Sequence, residues 1–157
     1  MATISGISAG GSFDYTITLQ NTGSLSLNGF WYGWTLGGNN LPSNPSSAGN
    51  SLGWANTLDG NSIMWQNNSG TALAPGASGT FTFVSTSNPT QITTSPSGES
   101  VAYVHTIDFS QGSAGDSTGV FSPVLVATPE PSSLAIFAVG LFGLAATCGS
   151  RRILKKS

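Results

Sequence analysis

Few residues of this chain are suited to catalysis. It has one histidine, His105, and one cysteine, Cys148, and neither lies in a motif that would activate a nucleophile. A hydrolytic triad needs a serine or cysteine next to a histidine that an acid orients, and no Gly-x-Ser-x-Gly sequence occurs. His105 lies in an alternating segment with Val101, Tyr103 and Ile107, which favours a partly buried structural role. We therefore expect no catalytic residue and no enzymatic activity.

The acidic residues also fail to form a recognisable metal or cofactor site. Asp108 and Asp116 flank a glycine-rich stretch, but their spacing matches no calcium loop with alternating oxygen ligands. Glycoside hydrolysis needs two carboxylates at a matched separation, and no sequence signature identifies such a pair. We interpret these acids as solvated loop residues, and we expect no metal and no cofactor.

The aromatic residues offer a different chemistry, the stacking of flat rings on sugars. Trp31, Tyr32 and Trp54 are our candidates for a sugar-binding surface on a domain with few charged residues. The two-residue period of a strand predicts that Trp34 shares a face with Phe30 and Tyr32, whereas Trp31 points the opposite way. Core packing is the competing interpretation, and we expect it for most of these rings.

The elements that carry these residues are predicted to be β-strands. Gly, Ser, Thr and Asn are abundant before residue 132, helix formers are scarce, and aromatic residues recur in alternating runs. Residues 37–50 contain two prolines and many small polar residues, which predicts a long surface loop. The predicted strands are residues 13–20, 25–36, 52–54, 62–66, 80–85, 101–109 and 120–126. This pattern favours an all-β fold, an immunoglobulin-like antiparallel β-sandwich over residues 1–126.

The positive charges are confined to the end of the chain. Residues 1–128 carry five acids and no Lys or Arg, which excludes the clustered cations that nucleic acid binding requires. All four cations lie in the last seven positions and form the basic tail of residues 151–157: Arg151, Arg152, Lys155 and Lys156. Cations resist crossing a bilayer, so this tail predicts a cytoplasmic terminus.

An uncharged apolar run precedes the basic tail. Residues 134–150 form a helix of roughly 25 Å if fully helical, enough to cross a bilayer and contact membrane lipid. Pro131 and the two serines after it suit a helix start. We predict a single C-terminal transmembrane helix. An amphipathic helix of the main domain is the disfavoured alternative, because the run is apolar on all sides.

The whole C-terminal segment resembles the PEP-CTERM protein-sorting signal of exported bacterial proteins. The resemblance rests on Pro129, Glu130 and Pro131 in a linker over residues 127–133, followed by the apolar run and the basic tail. It implies that exosortase, a transpeptidase-like membrane enzyme, recognises these three residues, removes the tail near them and releases the domain to the cell surface or extracellular matrix. The alternative is a rigid proline linker that no enzyme recognises.

The main domain is similar to a recurrent β-rich domain of PEP-CTERM proteins. The similarity rests on YTITLQNTGS, FWYGW, LPSNP and LAPGASGTFTF, and it implies a fold but no activity. Residues 1–15 have neither a positive segment nor an apolar stretch typical of a signal peptide. We therefore expect the natural product to begin upstream with an export leader, a decayed and unexported copy being the alternative.

These observations favour an exported, non-enzymatic surface or biofilm-matrix protein whose partner is exosortase. Before processing it would lie in the inner membrane. Two alternatives stay open: a carbohydrate-binding or adhesion module with extracellular polysaccharide as partner, and a permanently membrane-anchored domain that no exosortase processes.

Overall fold

The computed structural model describes residues 1–35, 38–105 and 117–127, which lie within one compact unit, Met1–Ala127. Strands dominate this part of the chain, as the composition predicts. In chain order the elements are β1 Ala2–Ala9, β2 Ser12–Gln20, β3 Gly29–Tyr32, β4 Trp34–Thr35, β5 Gly38–Asn39, β6 Ser47–Asn50, β7 Ala55–Leu58, β8 Ile63–Gln66, β9 Ser78–Ser85, α1 Pro89–Thr93, β10 Ser100–Tyr103, β11 Ser117–Phe121 and β12 Val124–Leu125.

The strands form two five-stranded sheets and a small hairpin. Sheet 1 has the order β12-β1-β2-β9-β6, sheet 2 has the order β11-β10-β3-β8-β7, and β4 pairs with β5. Neighbouring strands are antiparallel except for β1 and β12, which run parallel. The prediction of an all-β fold with antiparallel sheets is therefore confirmed.

The core lies between the two sheets, and the alternation of β2 and β9 explains which residues enter it. Tyr15, Ile17 and Leu19 of β2 are buried, and the strand register places Phe83 and Phe81 opposite Tyr15 and Ile17. Threonines at the intervening positions face outward, since successive side chains of a strand point to opposite faces. The predicted face of β2 is confirmed at these three core positions.

Aromatic rings from the two sheets meet in the centre of the core. The ring of Phe81 in sheet 1 lies 5.0 Å from Phe30 and 5.1 Å from Trp65 in sheet 2, measured between ring centroids. Trp54 packs against the same ring at 5.5 Å. All four side chains are at most 3% exposed, so Phe81 joins both sheets in one apolar cluster.

The predicted loop over residues 37–50 is wrong in part. Ser47–Asn50 form β6, whose Ala48 and Asn50 pair with Phe83 and Phe81 at the edge of sheet 1. The two prolines do not prevent this pairing, because both precede the strand. Gly38–Asn39 form β5 at the start of the same segment. Small polar residues can therefore complete a sheet edge where a long neighbouring strand supplies the partner.

The predicted strand over residues 52–54 is wrong. The Asn50 side chain organises a turn there, since its Oδ1 accepts hydrogen bonds from the Leu52 and Trp54 amides at 3.0 and 2.9 Å. Gly53 has a φ of +71°, a conformation that glycine adopts without steric cost. The strand begins only at Ala55, as β7.

Two further elements, β1 and α1, have no counterpart in the sequence predictions. β1 pairs with β2 along its full length in a hairpin that turns at Gly10 and Gly11, and it buries Ala2 and Ile4. The short helix α1 starts with a capping box. The Asn88 side chain accepts a hydrogen bond from the Gln91 amide, and the Gln91 side chain accepts one from the Asn88 amide.

Two buried phenols connect the sheets to the segment around α1. The Tyr15 hydroxyl donates to the Ser87 carbonyl, and the Tyr32 hydroxyl donates to the Ile92 carbonyl at 2.8 Å. Burial raises the pKa of both tyrosines well above the ordinary value near 10, and the neighbouring Tyr15 raises that of Tyr32 further. Both phenols are therefore held in the protonated, donating form.

We expect the domain to lose stability as the pH rises above 10. The unfolded chain releases these two phenolic protons near pH 10, whereas the folded chain retains them, so alkali favours unfolding. The free energy of unfolding should fall by about 1.4 kcal/mol per pH unit for each tyrosine. Urea unfolding measured from about pH 9 to pH 11 tests this. A Tyr15→Phe variant should show a shallower slope, and an equal slope would contradict the assignment.

Several predictions fall on residues outside the described part of the chain. These are the linker residues 128–133, the helix over 134–150, the basic tail 151–157, residues 106–109 of a predicted strand, and the acids Asp108 and Asp116. Among the described residues, no helix has the length and apolarity needed to cross a bilayer.

Candidate functional site

The sorting residues follow closely on the last strand of sheet 1. Val124 and Leu125 of β12 pair with Thr3 and Ile4 of β1, and the Val126 amide donates to the Ile4 carbonyl at 2.9 Å. Ala127 is the last described residue. One residue separates it in the sequence from Pro129, Glu130 and Pro131. The described domain therefore ends directly before the sorting residues.

All three predicted sugar-stacking residues are buried: Tyr32 and Trp54 lie in the main core, and Trp31, 5% exposed, lies in a second cluster. Tyr32 is fully buried, with its hydroxyl bound to Ile92. Trp54 is 3% exposed and its indole Nε1 donates to the Thr71 carbonyl at 2.8 Å. Stacking on a sugar requires an accessible ring face, so this burial corrects the expectation of an exposed platform built from Trp31, Tyr32 and Trp54.

Trp31 lies apart from them, on the outer face of sheet 2. It forms a second apolar cluster with Met64, Val101 and Tyr103, against which Trp34 packs. The rings of Trp31 and Trp34 stack with centroids 4.0 Å apart and planes within 5°. The sequence prediction of Trp31 facing away from Tyr32 agrees with this placement.

The predicted face of Trp34 is wrong, and Gly33 explains why. Gly33 has a φ of +68°, which interrupts the strand between β3 and β4 and shifts the alternation by one position. Trp34 consequently joins Trp31 and not Phe30. A Cβ at position 33 would also lie 2.5 Å from Leu41 Cγ, so glycine is required here for space as well as for backbone geometry.

A cavity of about 360 Å³ opens beside Trp31 on this outer face. Its lining consists of one indole, one hydroxyl, one carboxylate and one thioether: Trp31, Thr57, Asp59 and Met64. The Trp31 Nε1 donates to the Ser62 hydroxyl at 2.9 Å, which holds the indole in place. Trp31 is only 5% exposed and stacks on Trp34, so it offers no free ring face. Thr57 and Asp59 are exposed, and their hydroxyl and carboxylate can bind a neutral polyhydroxylated molecule by hydrogen bonds.

Sequence reasoning missed the partners of Trp31 in this cavity. Thr57 ends up beside Met64 because β7 and β8 form a hairpin, and Asp59 lies at its turn. The Asp59-Gly60 pair is a turn signal that locates the hairpin. The pairing of β8 with β3, which brings this hairpin to Trp31, involves strands about thirty residues apart.

Of the remaining candidates, His105 lies within the described ranges, whereas Cys148, Asp108 and Asp116 lie outside them. His105 is exposed just after β10, so the prediction of a partly buried histidine is wrong. Within the described ranges, no group of three or more His, Cys, Asp or Glu residues could hold a metal ion.

A larger cavity of about 430 Å³ lies where the two sheets end, and sequence reasoning did not identify it. Its apolar lining includes Leu19, Leu27 and Phe121, and its rim carries the exposed side chains of Leu25 and Val124. It is open to solvent and contains no Asp, Glu, Lys or Arg among its described lining residues.

Comparison with known proteins identifies the C-terminal segment. Residues 127–152 match the PEP-CTERM protein-sorting motif, which confirms the resemblance stated above. Sorting signals of this kind are exosortase substrates and are typical of secreted proteins processed at a membrane. The match begins at the last described residue, so the chain consists of a β-rich domain followed by a sorting motif.

The β-rich domain has solved structural neighbours at low sequence identity. Two are crystal structures of the GH20 exo-β-N-acetylglucosaminidase from Vibrio harveyi, one in complex with N-acetylglucosamine and one of an inactive mutant. Each has 15% identity and a TM-score of 0.50, and the match covers 82% of this chain but only 18% of the enzyme. At this identity the likeness shows the fold alone. No curated protein matches the chain.

Proposed function

We propose that this chain is an exported, non-enzymatic surface or extracellular-matrix protein that exosortase processes at its C-terminus. The match of residues 127–152 to the PEP-CTERM protein-sorting motif carries the proposal. The position of that match supports it further, because the motif follows a domain with its own apolar core, Met1–Ala127. Removal of the tail would leave this domain intact.

The charge distribution supports a membrane stage before processing. Residues 134–150 carry no charge, and the four cations follow them immediately. Insertion of this run would place residues 151–157 in the cytoplasm, in agreement with the positive-inside preference. The domain would then face outward and reach the surface or matrix after cleavage.

We also propose an immunoglobulin-like arrangement for the two sheets. The orders β1-β2-β9-β6 and β11-β10-β3-β8 support it, since they resemble the two sheets of that sandwich. The chain departs from the immunoglobulin-like arrangement in one respect, because β6 precedes β7 and β8 in the sequence.

Mass spectrometry of the native product tests the sorting proposal. In a host that expresses exosortase, the mature protein should lack residues 151–157, and deletion of the exosortase should restore them. A mature protein that keeps these residues in the presence of the enzyme would support a permanently anchored domain and would refute processing.

A second candidate function is the binding of neutral polysaccharide at the cavity beside Trp31. The exposed Thr57 hydroxyl and Asp59 carboxylate line one cavity, and this arrangement favours it. A carboxylate accepts hydrogen bonds from sugar hydroxyls, and each such bond contributes about 1.5–3 kcal/mol when it involves a charged group.

Replacing Asp59 with alanine should therefore weaken retention on a neutral polysaccharide gel by about tenfold or more. Affinity electrophoresis of the parent chain and the variant measures this. Asp14→Ala is the matched control, because Asp14 is exposed on β2 in the other sheet. Equal retention of the parent and the Asp59 variant, or no retention of either, would exclude this site.

A further inference from the structure

The larger cavity, of about 430 Å³, is a gap between the two sheets where they end. Leu19 of β2 and Ala102 of β10 line it, so each sheet contributes a core side chain to its wall. Protein interiors are close-packed and contain few voids larger than a water molecule. A gap of this size lies within the range of about 300–1,000 Å³ that is typical of small-molecule pockets. The core therefore leaves room here for a small molecule.

The inner surface of this cavity is apolar and continuous with the core. Leu19, Leu27 and Ala102 are at most 4% exposed. The ring of Phe121, which also lines the cavity, stacks on Phe30 with centroids 6.1 Å apart. A molecule in the cavity would contact core side chains directly, and its apolar part would be removed from water.

The mouth of the cavity carries exposed apolar side chains. Leu25 is 61% exposed and Val124 is 63% exposed. Single exposed apolar residues are common on protein surfaces and need no explanation. Here two of them border one apolar opening, which is the arrangement expected of a binding site.

The Asn21 side chain fixes the wall that carries Leu25. Asn21 is 3% exposed, and its Nδ2 donates to the Leu25 and Leu73 carbonyls, each at 2.8 Å. Its Oδ1 accepts a hydrogen bond from the Gly23 amide at 3.0 Å. Leu27 and Leu73 also exchange two backbone hydrogen bonds of 2.9 Å. The wall is therefore preformed, and a ligand loses no affinity in ordering it.

The polar groups around the cavity are uncharged. Its described lining includes the exposed hydroxyl residues Thr22, Ser24 and Ser122, and no ionisable side chain. Burying a charged group without a partner costs far more free energy than burying a neutral one. Exposed hydroxyls can bind one polar group of a ligand whose apolar body lies deeper in the cavity. This lining therefore suits an uncharged, mostly apolar molecule.

We propose that this cavity binds an uncharged, mostly apolar small molecule with at most a hydroxyl or carbonyl group, such as a medium-chain alcohol. The site is separate from the cavity beside Trp31, which has a carboxylate in its lining. The proposal does not depend on processing of the C-terminal tail, because every residue that carries it lies in the unit Met1–Ala127.

Two fluorescent probes with the same ring skeleton test the requirement for an uncharged ligand. N-phenylnaphthylamine is uncharged, and anilinonaphthalene sulfonate adds one sulfonate to that skeleton. The full chain should bind the uncharged probe saturably and at least about tenfold more tightly than the sulfonate. Decanol should displace the uncharged probe, and decanoate at neutral pH should not. Equal affinity for the two probes would overturn the proposal.

A charge at the mouth locates the binding. Leu25→Asp should weaken binding of the uncharged probe by at least about tenfold, while the Asn21 bond to the backbone carbonyl of residue 25 is kept. Val124→Asp should act in the same way. The matched control is Ile7→Asp, which should bind like the parent, because Ile7 is 55% exposed and is not among the described lining residues.

Residues 134–150 are present in all of these chains, so a difference between them reports the cavity. Equal binding by the parent and both mouth variants, or no saturable binding by the parent, would overturn the proposal. Sedimentation velocity distinguishes a ligand site from a contact between two copies. The parent and Leu25→Asp should sediment as the same species. Dissociation of an oligomer by Leu25→Asp would show that a second copy covers the cavity and would also overturn the proposal.

Discussion

Replacing Phe81 with alanine is expected to lower the free energy of unfolding by about 3–5 kcal/mol. Phe81 is fully buried and its ring contacts Phe30 and Trp65 from the opposite sheet, as well as Trp54. Alanine leaves a cavity at the point where the two sheets meet, and rigid neighbouring rings can close it only in part.

Urea unfolding followed by tryptophan fluorescence measures this loss. Thr82→Ala is the matched control, because Thr82 is exposed at the adjacent position of β9 and should cost at most about 0.5 kcal/mol. Phe81→Leu should fall between the two, since it keeps much of the buried volume. If Phe81→Ala proved no more costly than Thr82→Ala, the core described above would be wrong.

Replacing Pro129, Glu130 and Pro131 together by alanine is expected to abolish processing of the tail. Proline as a residue type favours extended backbone geometry, and the glutamate lies between the two prolines in the sequence. Alanine removes both the restriction and the charge, and it also favours helix over extended chain. The variant should accumulate with Arg151 and the residues after it still attached.

Immunoblotting and mass spectrometry of cells that express exosortase measure the processed fraction, which should fall by at least about tenfold, the equivalent of 1.4 kcal/mol. Ser132→Ala with Ser133→Ala is the control, because both serines lie in the matched segment 127–152 but outside the motif. If the control and the motif variant were processed equally well, Pro-Glu-Pro would not be the recognition element.

The long alternating strands could be predicted because one strand contains all the information they need. In β2 each second residue is apolar from Phe13 to Leu19, and burial of Tyr15, Ile17 and Leu19 follows from the two-residue period. The same holds for β9, where Phe81 and Phe83 enter the core. The cost of exposing such a face to water is large enough to select one orientation.

The short edge strands could not be predicted because their stability comes from their partners. Ser47–Asn50 has no apolar alternation, yet it forms β6 because β9 supplies unpaired backbone groups beside it. Ala2–Ala9 is interrupted by Gly6 and has weak strand signals, but it pairs with β2 along its whole length. The local sequence of an edge strand does not reveal which strand will pair with it.

The candidate sugar cavity was also predictable only in part, because some of its residues come together through pairing of strands that are distant in sequence. Composition pointed to tryptophans, and Trp31 does line a cavity, but Trp54 and Tyr32 lie in the core. Gly33 decides the face of Trp34 through one positive φ angle, which no alternation pattern reveals. Thr57 and Asp59 join Trp31 only through the pairing of β3, β8 and β7.

By itself, the sequence determined the all-β class and the sorting motif, because a repeating face and a linear signal are both readable along a single stretch of chain. The confinement of all four cations to the last seven residues can also be read directly from one stretch of the sequence. Only the tertiary structure decided that Trp34 joins Trp31 on the outer face of sheet 2 and that β12 pairs with β1. Those features depend on contacts between residues far apart in sequence, whose free energies appear only when the two sheets pack together.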